Sequence, residues 1–300
     1  MTVRYVRPVS HSAYAARRIG FAALLLFVLA VLAHRFGPVR TPDFLALVLL
    51  SAAIAAAAVP LALIGLGRLW QKGAEGGIAA AKALVYAAVP LAVVGAAALL
   101  YATKPPLYEV STDLEEVPSF LVKPEYAQQW LQRPASLTPA GRRAQIAAYP
   151  GLTGRRYEGA LDRVYEGVQA AALSARIAIL RREGTELMEP QPVAPAQEQP
   201  ADNASPPSDS VPIPLPRPEP LLPAAAPVGD RDVLLQGETE SLLLGLPFDI
   251  IIRLREDAET TSVDVRVASR YGHHDLGLSA AVAEDFLERL DTELLGIAGG

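Results

Sequence analysis

Two stretches of this chain are too long, too apolar and too poor in charge to behave as ordinary water-soluble helices. Phe44–Gly67 contains no charged residue and is built mainly from Ala, Leu and Val, and Ile78–Tyr101 contains one, Lys82, near its start. A helix needs about 20 apolar residues to cross a hydrocarbon core roughly 30 Å thick, and both stretches meet that length. Lys82 can reach the interface along its own aliphatic stem. A third stretch, Ile19–Ala33, is shorter. It attains a crossing length, over about 19–36, only if His34 and Arg35 sit at the interface.

Two other readings of these segments are weaker. A buried helical core would need amphipathic partner helices, and the sequence offers none for them. A cleaved signal peptide would use Arg17 and Arg18 as its charged region, but no small-x-small cleavage site follows cleanly. Pro60 and Pro90 fall inside the spans, where membrane helices tolerate them, and read as kinks. The two clear spans carry no Asp, Glu or His. Intramembrane proton and ion pathways place such groups in the bilayer, so the spans read as an anchor rather than a transporter. Gly65 and Gly67 are small residues suited to self-association.

Orientation follows the basic residues in the flanks. Arg4, Arg7, Arg17 and Arg18 precede the first span, Arg35 and Arg40 lie in the first loop, and Arg68 and Lys72 lie in the second. With three spans this bias places the N-terminus in the cytoplasm and everything after Lys104 outside, which for a bacterial inner membrane is the periplasm. The expected organisation is an anchor over 1–104 and a soluble domain over 105–300, with the lipid bilayer as one partner.

The whole-chain average, 51% apolar over 300 residues, hides this split, because nearly all acidic residues lie beyond 108. A net charge of −5, with no basic stretch interleaved with aromatics, gives no sign of nucleic-acid binding. Cysteine is absent, which excludes disulfides, thiolate metal sites and cysteine nucleophiles.

In the soluble half, residues 107–150 read as mostly irregular, with an extended start at Tyr108–Asp113 and short helices at Tyr126–Leu131 and Pro139–Ala147. Gly154–Tyr157 reads as a strand. Leu161, Val164, Val168 and Ala171 or Ala172 recur at helical spacing, predicting a helix over Glu158–Ser174. Arg176–Arg181 reads as the next strand. Residues 189–229, dominated by Pro, Ala, Gln and Ser, cannot bury enough apolar area to offset chain ordering and read as a disordered insertion. Asp232–Ser241 reads as a strand. A hairpin follows, in which Ile250, Ile252 and Leu254 on one strand and Val263, Val265 and Val267 on the other present an aliphatic face. Pairing Leu254 with Val263 sets Arg253 opposite Asp264, a charge pair supporting the same register. Val282, Phe286, Leu290 and Leu294 form an i, i+4 stripe on a C-terminal helix. The fold class is therefore α+β: an antiparallel sheet with two helices on one face, following the membrane helices.

Chemistry is harder to find. His273-His274-Asp275 holds the only adjacent histidines, with no third ligand nearby for zinc. No nucleophile elbow, P-loop or dinucleotide glycine pattern occurs, so no catalytic residue, metal or cofactor is assigned. Arg253, Arg266 and Arg270 lie on the polar side of the hairpin. They read either as a solvated sheet face or, with Ser269, Asp275 and Asp113, as a site for an anion such as a lipid headgroup. Ser111-Thr112-Asp113 reads as a turn or as polar lining of a site. The leading expectation is a non-enzymatic envelope protein whose domain binds a partner protein or an anionic lipid-like ligand. The alternatives are a membrane-associated hydrolase using His273 or His274 with Asp275, and a structural subunit of a membrane complex.

Several segments resemble a bacterial family known as domain of unknown function 1499. They are Tyr108-Glu-Val-Ser-Thr-Asp113, Tyr149-Pro150, Leu246-Pro-Phe-Asp249 and, most specifically, Val263-Asp-Val-Arg-Val-Ala-Ser-Arg-Tyr-Gly272 followed by Asp275-Leu-Gly277. The similarity covers roughly 105–298, interrupted by the Pro-rich insertion. It implies an envelope protein, in some members with N-terminal membrane helices, and it brings no established activity. The chain departs from the pattern after Gly277, where Leu278-Ser-Ala-Ala281 stands in place of an expected Asn and basic residue.

Overall fold

A computed structural model describes residues 8–124, 126–134, 137–185, 232–257 and 259–296. The Pro-rich stretch read as an insertion, 189–229, lies outside the described residues. Three helices come first: α1 (His11–Phe36), α2 (Thr41–Lys72) and α3 (Gly77–Thr103). All three are long and apolar enough to cross a membrane. The first starts eight residues before the expected Ile19, because Ala13, Ala15 and Ala16 extend a strong helix-forming run toward the N-terminus. Val9 pairs with Glu75 beside the α2–α3 loop, with Ser10 N–H donating to Glu75 O and Glu75 N–H to Pro8 O, each at 2.9 Å.

The helices meet through small side chains. Ala13, Ala16, Ala62, Ala79, Ala80 and Ala83 form one buried cluster, and Ala23, Ala55 and Ala87 another. Without a hydrophobic drive between helices in lipid, such residues allow the close backbone approach that packing requires. Gly65 is spent in this way inside the chain: a Cβ there would stand 2.8 Å from the Ala13 Cβ. Gly67 faces open space. Pro60 and Pro90 lie within otherwise continuous helices.

The domain contains β1 (Glu109–Ser111), α4 (Pro139–Ala148), β2 (Arg155–Glu158), α5 (Leu161–Ser174), β3 (Ala178–Glu183), β4 (Val233–Glu240), β5 (Pro247–Asp257), β6 (Thr260–Ser269) and α6 (Leu278–Gly296). The sheet runs β1-β6-β5-β4-β3 with every pairing antiparallel, and β2 joins β6 farther along the edge that β1 occupies. The expected register holds, with Leu254 opposite Val263 and Arg253 opposite Asp264. Alternate residues of β4, β5 and β6 face α5 and α6 in a single core, which includes Leu235, Ile250, Ile252, Leu254, Val263, Val265, Phe286 and Leu290. Helix α5 buries the stripe that its spacing predicts, and α6 buries Phe286, Leu290 and Leu294 of its stripe with Val282 half-buried. Close α5–α6 approach needs Gly167, whose missing side chain leaves room for Leu294.

Two expectations require correction. Tyr126–Leu131 is not helical: Gln129 adopts a left-handed φ of 50°, and Leu131 N–H turns back to Gln128 O at 2.9 Å. The second face of the sheet is also not open to solvent. An irregular strap over about 112–133 roofs it and is fastened by side chains of β4, β5 and β6. The Gln236 amide, for example, pairs with both the N–H and the C=O of Val122, at 3.0 and 2.9 Å.

Candidate functional site: the junction of helices and domain

The hairpin arginines lie beneath this strap in a lattice of carboxylates. Arg253, only 4% exposed, donates to Asp113 Oδ2 at 2.7 Å, to Asp264 Oδ2 at 2.9 Å and to Glu116 O at 2.9 Å. Arg255 bridges Asp232 and Glu116. Arg266 pairs with Glu109 at 2.8 Å, donates to Pro118 O and stacks over Phe120. Arg270 bonds Asp249 and Glu238 and lies over the Tyr126 ring, whose hydroxyl donates to Asp249. The positive charge of all four of these arginines is thus matched internally by acidic residues. Burial alone would raise the Asp113 carboxyl, but the Glu116 amide, Arg253 and the Glu115 amide together hold it below its ordinary value. Burial pushes the Tyr108 hydroxyl up to about 12, with Glu109 adding to the effect.

Asp113 and Asp264 also border an open pocket of about 350 Å³ with Gln145, Ile146 and Tyr149. Arg266 borders a smaller one of about 200 Å³ beside Glu109, Leu137 and Arg142.

The histidine motif does not assemble an acid–base pair among the described residues. Asp275 accepts from the backbone amides of Gly277 and Ser279, both at 2.9 Å, and so caps the start of α6. His274 Nδ1 accepts from Leu276 N–H at 2.9 Å, which leaves Nε2 to donate to Lys104 O at 3.2 Å. The His274 ring stacks on Tyr101 at the end of α3, with centroids 4.6 Å apart. His274 thus fastens the end of α3 to the domain. Among the described residues no group of three or more His, Asp or Glu is placed to hold a metal ion.

The same junction borders an open-mouthed cavity of about 210 Å³ between the helices and the domain. Phe44, Leu45, Val48 and Leu49 of α2 and Val93, Val94 and Ala97 of α3 form one wall. Leu131, Leu244, Leu246, Phe248, Tyr271, Leu276 and Leu278 form much of the other, and Ser269, His274 and Asp275 also border it. At 1.5 Å per residue, the α2 wall from Thr41 to Leu49 descends about 12 Å from the helix start. Beside the domain wall, Arg133 donates to Ser269 O at 2.7 Å, and Lys104, whose C=O accepts from His274, sets its ammonium 5.7 Å from the Tyr149 ring centroid. Neither has a carboxylate within 4.0 Å among the described residues, unlike the arginines of the lattice.

Of the six residues singled out from sequence, Ser269 and Asp275 border this cavity, whereas Arg253, Arg266, Arg270 and Asp113 belong to the lattice. Sequence reasoning missed Leu131, Leu244, Leu246 and Tyr271. A usable signal was present in Leu242-Leu243-Leu244, three leucines at a strand connection where turn-forming residues are the rule.

Residues 169–290 match the family described as protein of unknown function DUF1499. The matched range of DUF1499 runs from within α5 into α6, and so includes the domain wall of the cavity from Leu244 to Leu278. It excludes the three membrane-type helices, β1 and the strap. No curated protein and no solved structure matches the chain.

Proposed function

We propose that this chain is a membrane-anchored, non-enzymatic envelope protein that holds an anionic amphiphile at the junction of its helices and its domain. The cavity carries this reading: one wall belongs to helices apolar enough to lie in lipid and the other to the folded domain. A hydrocarbon chain entering from the bilayer would exchange one apolar environment for another. Two features bear on the headgroup. Arg133 and Lys104, each hydrogen-bonded to a residue of the cavity lining, have no carboxylate within 4.0 Å among the described residues, and a guanidinium is well suited to phosphate. By the distribution of basic residues, we place the N-terminus in the cytoplasm and the domain in the periplasm.

The test uses the full chain reconstituted in nanodiscs of mixed phosphatidylglycerol and phosphatidylcholine, released into a mass spectrometer. The expected result is one retained phosphatidylglycerol, lost in Ala97→Phe, which fills the cavity from α3, and weakened in Arg133→Ala. Hydrogen exchange of β5 and β6 should remain unchanged in both variants. Equal retention by wild type and Ala97→Phe would sink the reading.

A further inference from the structure

The β4–β5 connection carries apolar surface with no partner among the described residues. Leu242 is 70% exposed and Leu243 is 87% exposed, at the tip of a tight turn. Single exposed leucines are commonplace, but an adjacent pair at a turn tip is not the composition water selects. The turn is also held at a defined place. Leu244 packs with the cluster of Phe27, Ala30, Phe44 and Val48, on α1 and α2. His34 Nδ1 donates to Leu244 O at 2.9 Å, and Arg35 pairs with Glu240 at the end of β4. Phe44 opens the uncharged stretch of α2, so the turn lies alongside the first turns of a helix suited to lipid.

We propose that the β4–β5 turn enters the bilayer, with Leu242 and Leu243 seated among the lipid chains as a fourth, non-spanning membrane contact. A loop in lipid must satisfy its own polar groups. Here Ser241 N–H donates to Leu246 O at 2.8 Å, Gly245 N–H to Ser241 O at 3.0 Å and Leu246 N–H to the Ser241 hydroxyl at 2.9 Å. The base of the turn is thus bonded internally, and the Leu242–Leu244 amides at its tip, which have no protein partner among the described residues, keep the backbone at headgroup depth, where water and headgroups reach them while the leucine side chains point into the acyl region. Gly245 closes the turn at a φ of +67°, a conformation that disfavours a side chain. Lipid is favoured over a second copy of the chain because the adjoining Leu244 packs on Phe27, Phe44 and Val48 of α1 and α2, which puts the turn beside helices apolar enough to lie in a bilayer. The contact does not depend on the cavity being occupied. It would fix the domain's tilt and hold the cavity mouth against the bilayer.

The chain contains no cysteine, so one introduced thiol can be labelled uniquely. Leu243→Cys, carrying a polarity-sensitive dye on the full chain in liposomes, should emit at shorter wavelength than Leu173→Cys, an 80% exposed control at the end of α5. It should also be quenched by lipids bearing a nitroxide high on the acyl chain and be several-fold less sensitive to aqueous iodide. Emission and iodide sensitivity equal to the control would overturn the proposal. So would a blue shift without nitroxide quenching that grows with protein density, which would assign the patch to a second copy.

Discussion

Replacing Arg253 by Met tests whether the hairpin arginines serve the domain's own architecture. Met keeps the aliphatic stem and removes the guanidinium. Three bonds of 2.7, 2.9 and 2.9 Å are lost, two of them to carboxylates. Breaking a buried pair from one side typically costs about 3–5 kcal/mol, because the remaining charge is left uncompensated. The Asp113 side chain is 25% exposed and the Asp264 side chain 16%, so water reclaims part of that cost. The expected loss is therefore near the lower end, about 3 kcal/mol, against a total of roughly 5–15 kcal/mol for a typical domain. The assay is urea unfolding of the full chain in detergent, followed by hydrogen exchange at β5 and β6 amides, since apolar spans resist urea far better than the domain does. Adding Asp113→Asn and Asp264→Asn to Arg253→Met should recover a large part of the loss, because neutral groups remain where repelling carboxylates stood. A loss under about 1 kcal/mol for Arg253→Met, or no recovery in the triple variant, would refute the account of a charge-matched lattice.

Asp275→Ala should cost about 1–2 kcal/mol by uncapping α6, with faster exchange confined to the helix start at Ser279, and Asp275→Asn should recover most of it. The pH profile of the urea midpoint should fall at both ends. The folded Asp113 carboxyl lies below its ordinary value, so its stabilisation is complete above about pH 4 and disappears as pH falls through the folded value. Tyr108 is pushed up to about 12, so its contribution is complete below about pH 10 and is lost as pH rises toward the folded value.

What the sequence reveals follows from the range over which each structure is encoded. The stripes of α5 and α6 and the alternation of β5 and β6 repeat within a few residues, so their buried faces and even the Arg253–Asp264 pairing are legible. The strap has no period. Its residues are held by partners more than 100 positions away, such as Gln236 for Val122 and Arg253 for Asp113, and no local pattern announces such bonds. A polar hairpin face therefore looks like a solvated one until its roof is known. The start of α1 is misjudged for a related reason: hydropathy locates the part of a helix that suits lipid, whereas the alanines before Ile19 continue the helix beyond it.

The junction cavity belongs to neither half alone. Its domain wall lies largely within the range matched to DUF1499, from Leu244 to Leu278, while its other wall comes from α2 and α3, outside that range. The His274–Lys104 and His34–Leu244 bonds set the distance between the walls, and both join a helix end to a domain loop. If the domain were tethered by a flexible linker, this space would open to water and an acyl chain would gain nothing by entering it. Docking of the α3 end, with the Tyr101 ring stacked on His274, is therefore the feature on which the proposed amphiphile binding most depends. In that docking His274 ties Lys104 and Tyr101 to the domain while Asp275 caps the start of α6.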